Sequence, residues 1–258
     1  MCTLSVVTHE SGYYLAMNRD ERLARGAATP PEITERAGSS AIYPRDPAGG
    51  TWIAANDRGI ALALLNWNDV GQPGVEPATT RSRGHVIPSL IRERSLHDVQ
   101  ATFADQDLDV ILPFRLVGVF PEQQEIWEWR WNLTQLESRS CGWESGNWFS
   151  SSLSDGRAQF LRGQVCRAAW EDAGAGSLPW LRKLHASHAD GPGPFSLCVH
   201  REAVRTLSYT ELTCTPDTVR FGYFSGSPCS MQRLERPLEI ERAKSEGTRR
   251  LECQTAVT

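Results

Sequence analysis

No stretch of this 258-residue chain approaches the roughly 20 consecutive apolar residues that a membrane-spanning helix needs. Nor does it open on a charged start followed by an apolar core, so neither an integral membrane segment nor a secretory leader is expected. A net charge of -4 supplies no basic excess, which argues against nucleic acid and anionic membranes as partners. The seven cysteines, at 2, 141, 166, 198, 214, 229 and 253, are odd in number, scattered and without a Cys-x-x-Cys pair. A disulfide or zinc framework is therefore not expected, and reduced thiols in a cytoplasm are the simplest reading. No cofactor is expected either. No low-complexity or linker-like stretch divides the chain before residue 225, and a hydrophobic content of 40% suits one sizeable core. We expect one domain over residues 1–225. Residues 226–258, rich in Arg, Glu, Ser and Thr with little apolar periodicity, read as a loosely ordered tail.

What the chain does have begins at its second residue. Cys2 opens a run, Cys2-Thr3-Leu4-Ser5-Val6-Val7, with the alternation of a strand. If Met1 is removed, which the small Cys2 permits, one residue carries both a thiol and a free α-amine. Their reference pKa values, about 8.5 and about 7.7–8.0, let them exchange a proton near neutrality. That is the chemistry of an N-terminal nucleophile; the bland alternative is a small apolar residue beside the start. After His9-Glu10-Ser11-Gly12 a second apolar run ends in Asn18-Arg19-Asp20-Glu21. A hairpin returns this polar tetrapeptide to the neighbourhood of Cys2, where Arg19 would lower the thiol pKa and Asp20 would orient the amine.

The coarse order is strands, then a helical middle, then strands. Strands are expected at 41–45, 51–55 and 60–65, with Ile60 to Leu65 apolar on both faces and hence central. Helical spacing runs through Ile87, Leu90, Ile91, Leu96, Val99 and Phe103, with Ser95 as an N-cap between two helices. Phe114–Phe120 and Glu125–Trp131 form another hairpin, its Trp127, Trp129 and Trp131 sharing one face that reads as packing under a helix. A further helix carries the stripe Leu161, Val165, Ala168 and Ala169, and a shorter one covers Trp180 to His188. Strands resume at 194–200, 205–212 and 219–224, and loops are expected at 22–40 and 67–81, placed to rim a site over Cys2.

Met-Cys-Thr at the start, Asn18-Arg19-Asp20-Glu21 one hairpin later, Gly50-Thr51-Trp52, Asn56-Asp57-Arg58-Gly59, Leu64-Leu65-Asn66 and Ser82-Arg83-Gly84 recur in that order. In this the chain closely resembles the NRDE family, whose animal members are the transport and Golgi organisation 2 proteins. The family is similar in fold to the Ntn hydrolases, nearest the choloylglycine hydrolase and penicillin V acylase group. The resemblance implies an α+β protein with the four-layer αββα sandwich of that type. It also implies Cys2, Arg19, Asp20 and Asn66 as catalytic positions: nucleophile, two positioning groups and an oxyanion donor. Asn18, Glu21, Trp67, Ser151 and Arg201 are candidate binding positions. NRDE proteins usually show Ser-Asn-Ser near mid-chain, where this chain reads Ser150-Ser151-Ser152. A hydroxyl replaces a carboxamide there, and losing one oxyanion donor typically costs about 10²–10³ in rate.

Two functions follow from the resemblance. One is a cysteine amidohydrolase acting on a small acyl amide with reduced activity; the other is a non-catalytic haem or lipid carrier using the same pocket for a hydrophobic ligand. Among weaker patterns, His185 and His188 share a helix face near Asp190, which reads as a solvated helix end rather than a metal site. Ser82-Arg83-Gly84 is either an anion-binding turn or a structural one.

Overall fold

In the computed structural model, which describes residues 2–70, 80–189, 191–234 and 236–243, the first hairpin pairs β1 (Cys2–His9) with β2 (Gly12–Arg22) in the register Cys2 to Arg19. Gly12 has a φ of 154°, and a Cβ there would collide with the carbonyl of Cys214, so only glycine turns the chain at this point.

Two antiparallel sheets result. In the first, β10 (Gly146–Ser150), β1, β2, β11 (Val204–Cys214), β12 (Thr218–Phe224) and β13 (Leu238–Glu241) lie in that order. The second holds β3 (Thr29–Arg36), β4 (Ser39–Arg45), β5 (Ile53–Asn56), β6 (Ala61–Asn66), β7 (Phe114–Phe120), β8 (Glu125–Trp131) and β9 (Leu136–Ser140) in sequence order. Side-chain alternation sorts the core into layers. Leu4, Val6, Leu15 and Met17 of one sheet meet Ala61, Ala63, Leu65, Val117 and Val119 of the other in a buried inner cluster. Ile60, Leu62, Leu64 and Leu116 point the opposite way and pack with residues of α1 (Val86–Leu90) and α2 (Leu96–Ala104). Trp129 and Trp131 join that outer cluster, the packing role read from the sequence. On the far side, Val7, Ala16, Phe149 and Tyr209 pack against α3 (Asp155–Ala169) and α4 (Leu178–His185). The order helices, sheet, sheet, helices is the expected αββα sandwich.

Several local expectations are corrected. Residues 194–200 form no strand apart from an isolated bridge at His200. Side chains take up backbone groups there instead: Asn18 donates to the carbonyl of Leu197 at 2.8 Å, and the Val199 N–H donates to the Thr206 hydroxyl at 2.8 Å. The expected 22–40 loop contains β3, an edge strand whose two prolines and exposed polar residues hide its period. The expected tail is structured as far as it is described: β13 adds to the first sheet, with Ile240 buried opposite Val219, and Arg220 pairs with Glu239 at 3.0 Å. Residues 244–258 lie outside the described residues, as do 71–79 of the 67–81 loop and Asp190. In α3 the buried face is Ala158, Arg162, Gly163 and Cys166, not the stripe through Leu161 and Ala168. Ser95 does cap α2, accepting the Asp98 N–H at 3.2 Å.

Candidate active site

Cys2 begins an interior strand of the first sheet, flanked by Arg19 on β2 and Ser150 on β10. Residues directly opposite in an antiparallel pair face the same way. The three therefore converge at the open end of the inter-sheet space. A cavity of about 340 Å³ lies there, bounded by Cys2, Arg19, Asp20, Glu21, Trp52 and Asn66, with Arg25, Asp46, Arg81 and Arg83 also in its wall. The Cys2 main-chain nitrogen donates to the Ser150 hydroxyl at 2.8 Å. The Cys2 side chain is only 6% exposed.

A chain of charges builds the wall. The Arg19 guanidinium lies 4.4 Å from the centroid of the Trp52 ring and 3.5 Å from the Glu21 carboxylate. Arg25 bridges Glu21 at 3.6 Å and Asp46 at 2.9 Å. Asp46 in turn accepts the N–H groups of Ala48 at 2.8 Å and Gly50 at 3.2 Å, closing the turn before Thr51. Gly50 and Gly84 touch backbone to backbone: a Cβ on Gly50 would stand 2.8 Å from the Gly84 Cα, and Thr51 donates to the Gly84 carbonyl at 2.9 Å. Glycine at both positions is what lets Gly50-Thr51-Trp52 and Ser82-Arg83-Gly84 meet on one rim. Arg83 then reaches the carbonyls of Pro113 at 2.8 Å and Leu112 at 3.3 Å. Its pKa is lowered to about 10, by burial first and then by the nearby Arg25, so it remains a cation at neutral pH.

Asp20 points to the helical side of its strand, where it is buried. The Thr206 hydroxyl donates to it at 2.6 Å, and Arg162 stands 3.5 Å away. Burial raises its pKa; Arg162, the N-terminal ammonium and Thr206 oppose the rise. Arg162 is fully buried and also donates to Thr3 at 2.9 Å and, at 3.4 Å, to the carbonyls of Cys2 and Ser150. One guanidinium thus ties β1, β2 and β10 together behind the cysteine. Arg162 is inconspicuous in the sequence because a helical arginine usually marks a solvated face. Its signal was position: it stands four residues from both Ala158 and Cys166, in the middle of a small-residue stripe.

Of the residues read from the sequence, Cys2, Arg19, Glu21 and Asn66 meet at this cavity, and Asp20 borders it while its carboxylate turns to Thr206 and Arg162. The others fall elsewhere. Asn18 is buried with its amide on the carbonyls of His185 and Leu197, both at 2.8 Å. Trp67 borders a separate cavity with Arg115, Arg130 and Trp148. Ser151 is buried, its N–H on Asp155 at 2.6 Å and its hydroxyl accepting from Leu153 at 3.3 Å, while the neighbouring Ser150 faces Cys2. Arg201 is not in the cavity wall, whereas Arg162 reaches the Cys2 carbonyl at 3.4 Å. Arg19 does pull the Cys2 thiol pKa down, as expected, but it does not decide the net direction. Burial outweighs the rest and raises Cys2; the N-terminal ammonium and Arg19 pull down, and Asp20 and Glu21 push up. His185 is no solvated metal candidate: it is buried, with Nε2 2.9 Å from the Ser5 hydroxyl.

The model of the family described as Transport and Golgi organisation 2 matches residues 1–145. The chain belongs to that family. The matched residues hold Cys2, Arg19, Asp20 and Asn66 but not Ser150, Arg162 or Thr206, so part of the cavity's support lies outside the family's signature. No curated protein matches the chain in sequence. Solved structures do resemble this family member in fold. Penicillin V acylase from Agrobacterium tumefaciens is 11% identical with a TM-score of 0.50, over 86% of this chain and 82% of that one. A mutant of conjugated bile acid hydrolase from Clostridium perfringens is 8% identical with a TM-score of 0.54, over 95% and 98% of the two chains. A second variant of the same hydrolase gives 8% and 0.52 over the same shares. These likenesses show the Ntn-hydrolase fold. Among the described residues no helix is long and apolar enough to cross a membrane.

Proposed function

We propose that the cavity is the active site of an N-terminal-cysteine amidohydrolase acting on a small acyl amide that carries a negative group. The observation that supports this most is the seating of Cys2: its thiol borders the cavity while its own main-chain nitrogen is held 2.8 Å from the Ser150 hydroxyl. With Met1 removed, that nitrogen becomes an α-amine already fixed beside the thiol. The amine takes the thiol proton as sulfur bonds to the substrate carbonyl carbon. Asn66 donates to the oxyanion, and the amine then protonates the leaving nitrogen as the C–N bond breaks. Water, deprotonated by the same amine, attacks the thioester and releases the acid, restoring the thiol. Moving the ammonium from Met1 onto Cys2 brings the pKa-lowering charge closer to the sulfur, against the rise that burial causes.

Arg83 favours an anionic substrate, because its charge is met at hydrogen-bond distance by neutral carbonyls. The same charged wall is poorly suited to an apolar haem or lipid cargo, since among the described residues only Cys2, Trp52, Leu64 and Leu112 bring apolar side chains to it. The test is hydrolysis of a panel of N-acyl amino acids and neutral acyl amides by wild type, Cys2→Ala, Asn66→Ala and Arg83→Met. The mechanism requires no turnover by Cys2→Ala and a loss of about 10²–10³ in kcat for Asn66→Ala. Arg83→Met should lose selectivity for carboxylate-bearing substrates. Turnover that survives Cys2→Ala overturns the mechanism. Absence of turnover by every form, with stoichiometric binding of haem or a fatty acid that Cys2→Ala leaves intact, replaces it with the carrier reading.

A further inference from the structure

On the outer side of the first sheet, behind Asp20, two segments far apart in sequence bring four ligand-type side chains together. His188, Cys198 and His200 belong to the irregular stretch between α4 and β11, and Cys229 to a short helical turn, Pro228–Ser230, after β12. One donor atom from each lies within 4.8 Å of the other three. The His200 Nε2 is 3.5 Å from the Cys198 sulfur and 3.3 Å from the Cys229 sulfur. A tetrahedral zinc with Zn–S of about 2.3 Å and Zn–N of about 2.0 Å has S···N edges of about 3.5 Å. The fourth donor is unpartnered: the His188 Nε2 is buried without a hydrogen bond among the described residues, although its ring stands 4.9 Å from that of His200. A buried imidazole nitrogen lacking a partner costs free energy that a metal bond would remove.

We propose that His188, Cys198, His200 and Cys229 form a site of two thiolates and two imidazoles for a structural Zn²⁺ ion. Two thiolates and two neutral imidazoles neutralise the dication, their two thiol protons passing to solvent on binding. The donor set selects zinc over magnesium or calcium, which take oxygen ligands, and four protein donors close the shell against a reactive water. The spacing hides the site from sequence. The ligands are separated by nine, one and 28 residues, with no Cys-x-x-Cys pair.

The ion would fasten the two segments that hold Thr206. The Val199 N–H donates to the Thr206 hydroxyl at 2.8 Å, Ser227 donates to its carbonyl at 2.7 Å, and the same hydroxyl donates to Asp20 at 2.6 Å. Zinc would act as a remote brace for Asp20 and not as a participant at Cys2, so the site stands whether or not Cys2 is a nucleophile.

The experiment is metal analysis of the purified full chain, with cobalt as a spectroscopic probe. One equivalent of zinc per chain is expected, and Co²⁺ added to chelator-stripped protein should give the d–d bands of a tetrahedral centre with thiolate-to-metal absorption in the near ultraviolet. Cys229→Ser and His200→Ala should each weaken zinc binding by at least about 100-fold. Cys166→Ser, buried in another cluster, should leave it unchanged. Cys229 is exposed, so metal ligation and not burial would protect its thiol: chelation should lower the Tm and raise the rate at which iodoacetamide alkylates Cys229, and zinc should reverse both. Because a ligand variant may unfold, the cobalt spectrum of the wild type stands as an independent readout. Sub-stoichiometric metal with an octahedral cobalt spectrum would overturn the proposal, as would zinc retained by Cys198→Ser/Cys229→Ser or a native disulfide between those two cysteines.

Discussion

Replacing Arg162 by methionine removes a guanidinium that is fully buried and serves two purposes at once. It stands 3.5 Å from the Asp20 carboxylate, and it donates to Thr3 at 2.9 Å and to the Cys2 and Ser150 carbonyls at 3.4 Å. Leaving one member of a buried ion pair without its partner typically costs about 3–5 kcal/mol. Methionine fills much of the volume, so the loss is electrostatic more than a cavity. Asp20 has an escape, because burial already raises its pKa and removal of Arg162 raises it further. Below that raised pKa the side chain takes a proton and the penalty stops growing. Destabilisation of Arg162→Met should therefore be larger at pH 7 than at pH 5. Adding Asp20→Asn removes the orphaned charge but not the lost hydrogen bonds to β1 and β10. The double variant should stay below wild type by about 1–3 kcal/mol, with a coupling energy of at least about 1.5 kcal/mol between the two sites. Urea unfolding of all four proteins at both pH values supplies the cycle, provided the m-values agree. A cost below about 1 kcal/mol for Arg162→Met, or strict additivity with Asp20→Asn, would refute the claim that Arg162 compensates Asp20.

His185 is buried with its pKa lowered to about 3, chiefly by burial and then by Arg162. Between about 6.5 and about 3 the unfolded chain holds a proton that the folded one does not. This residue alone therefore removes up to about 1.4 kcal/mol of stability per pH unit as the pH falls. His185→Gln should flatten the pH dependence of the urea midpoint below pH 6.5, and an unchanged slope would contradict the assignment. Gly50→Ala should cost about 1–3 kcal/mol, because its Cβ would meet the Gly84 backbone at 2.8 Å. Calorimetry showing no loss would mean that the two rim motifs are not locked together.

The sequence exposed the first hairpin fully, since its alternation and its glycine turn are both local, and the register that sets Arg19 opposite Cys2 follows from them. The strands Phe114–Phe120 and Glu125–Trp131 were legible for the same reason. What stayed hidden was tertiary. Ser150 reaches Cys2 only because β10 joins the sheet edge from 148 residues away. Arg162 looks like any surface arginine until α3 is laid on the sheet with that face inward. Residues 194–200 carry strand-like composition, yet Asn18 and Thr206 take the hydrogen bonds a neighbouring strand would need. Arg201, just past that expected strand, lies outside the cavity wall.

The role assigned to Cys2 is tested most directly by intact-mass spectrometry of the protein before and after brief exposure to an activated acyl ester, followed by peptide mapping. The mechanism requires a mature chain that begins at Cys2 and gains one acyl group there as a thioester, released by hydroxylamine. Met1 retained in full, or acylation at Cys229 or another thiol while Cys2 stays unmodified, would contradict it.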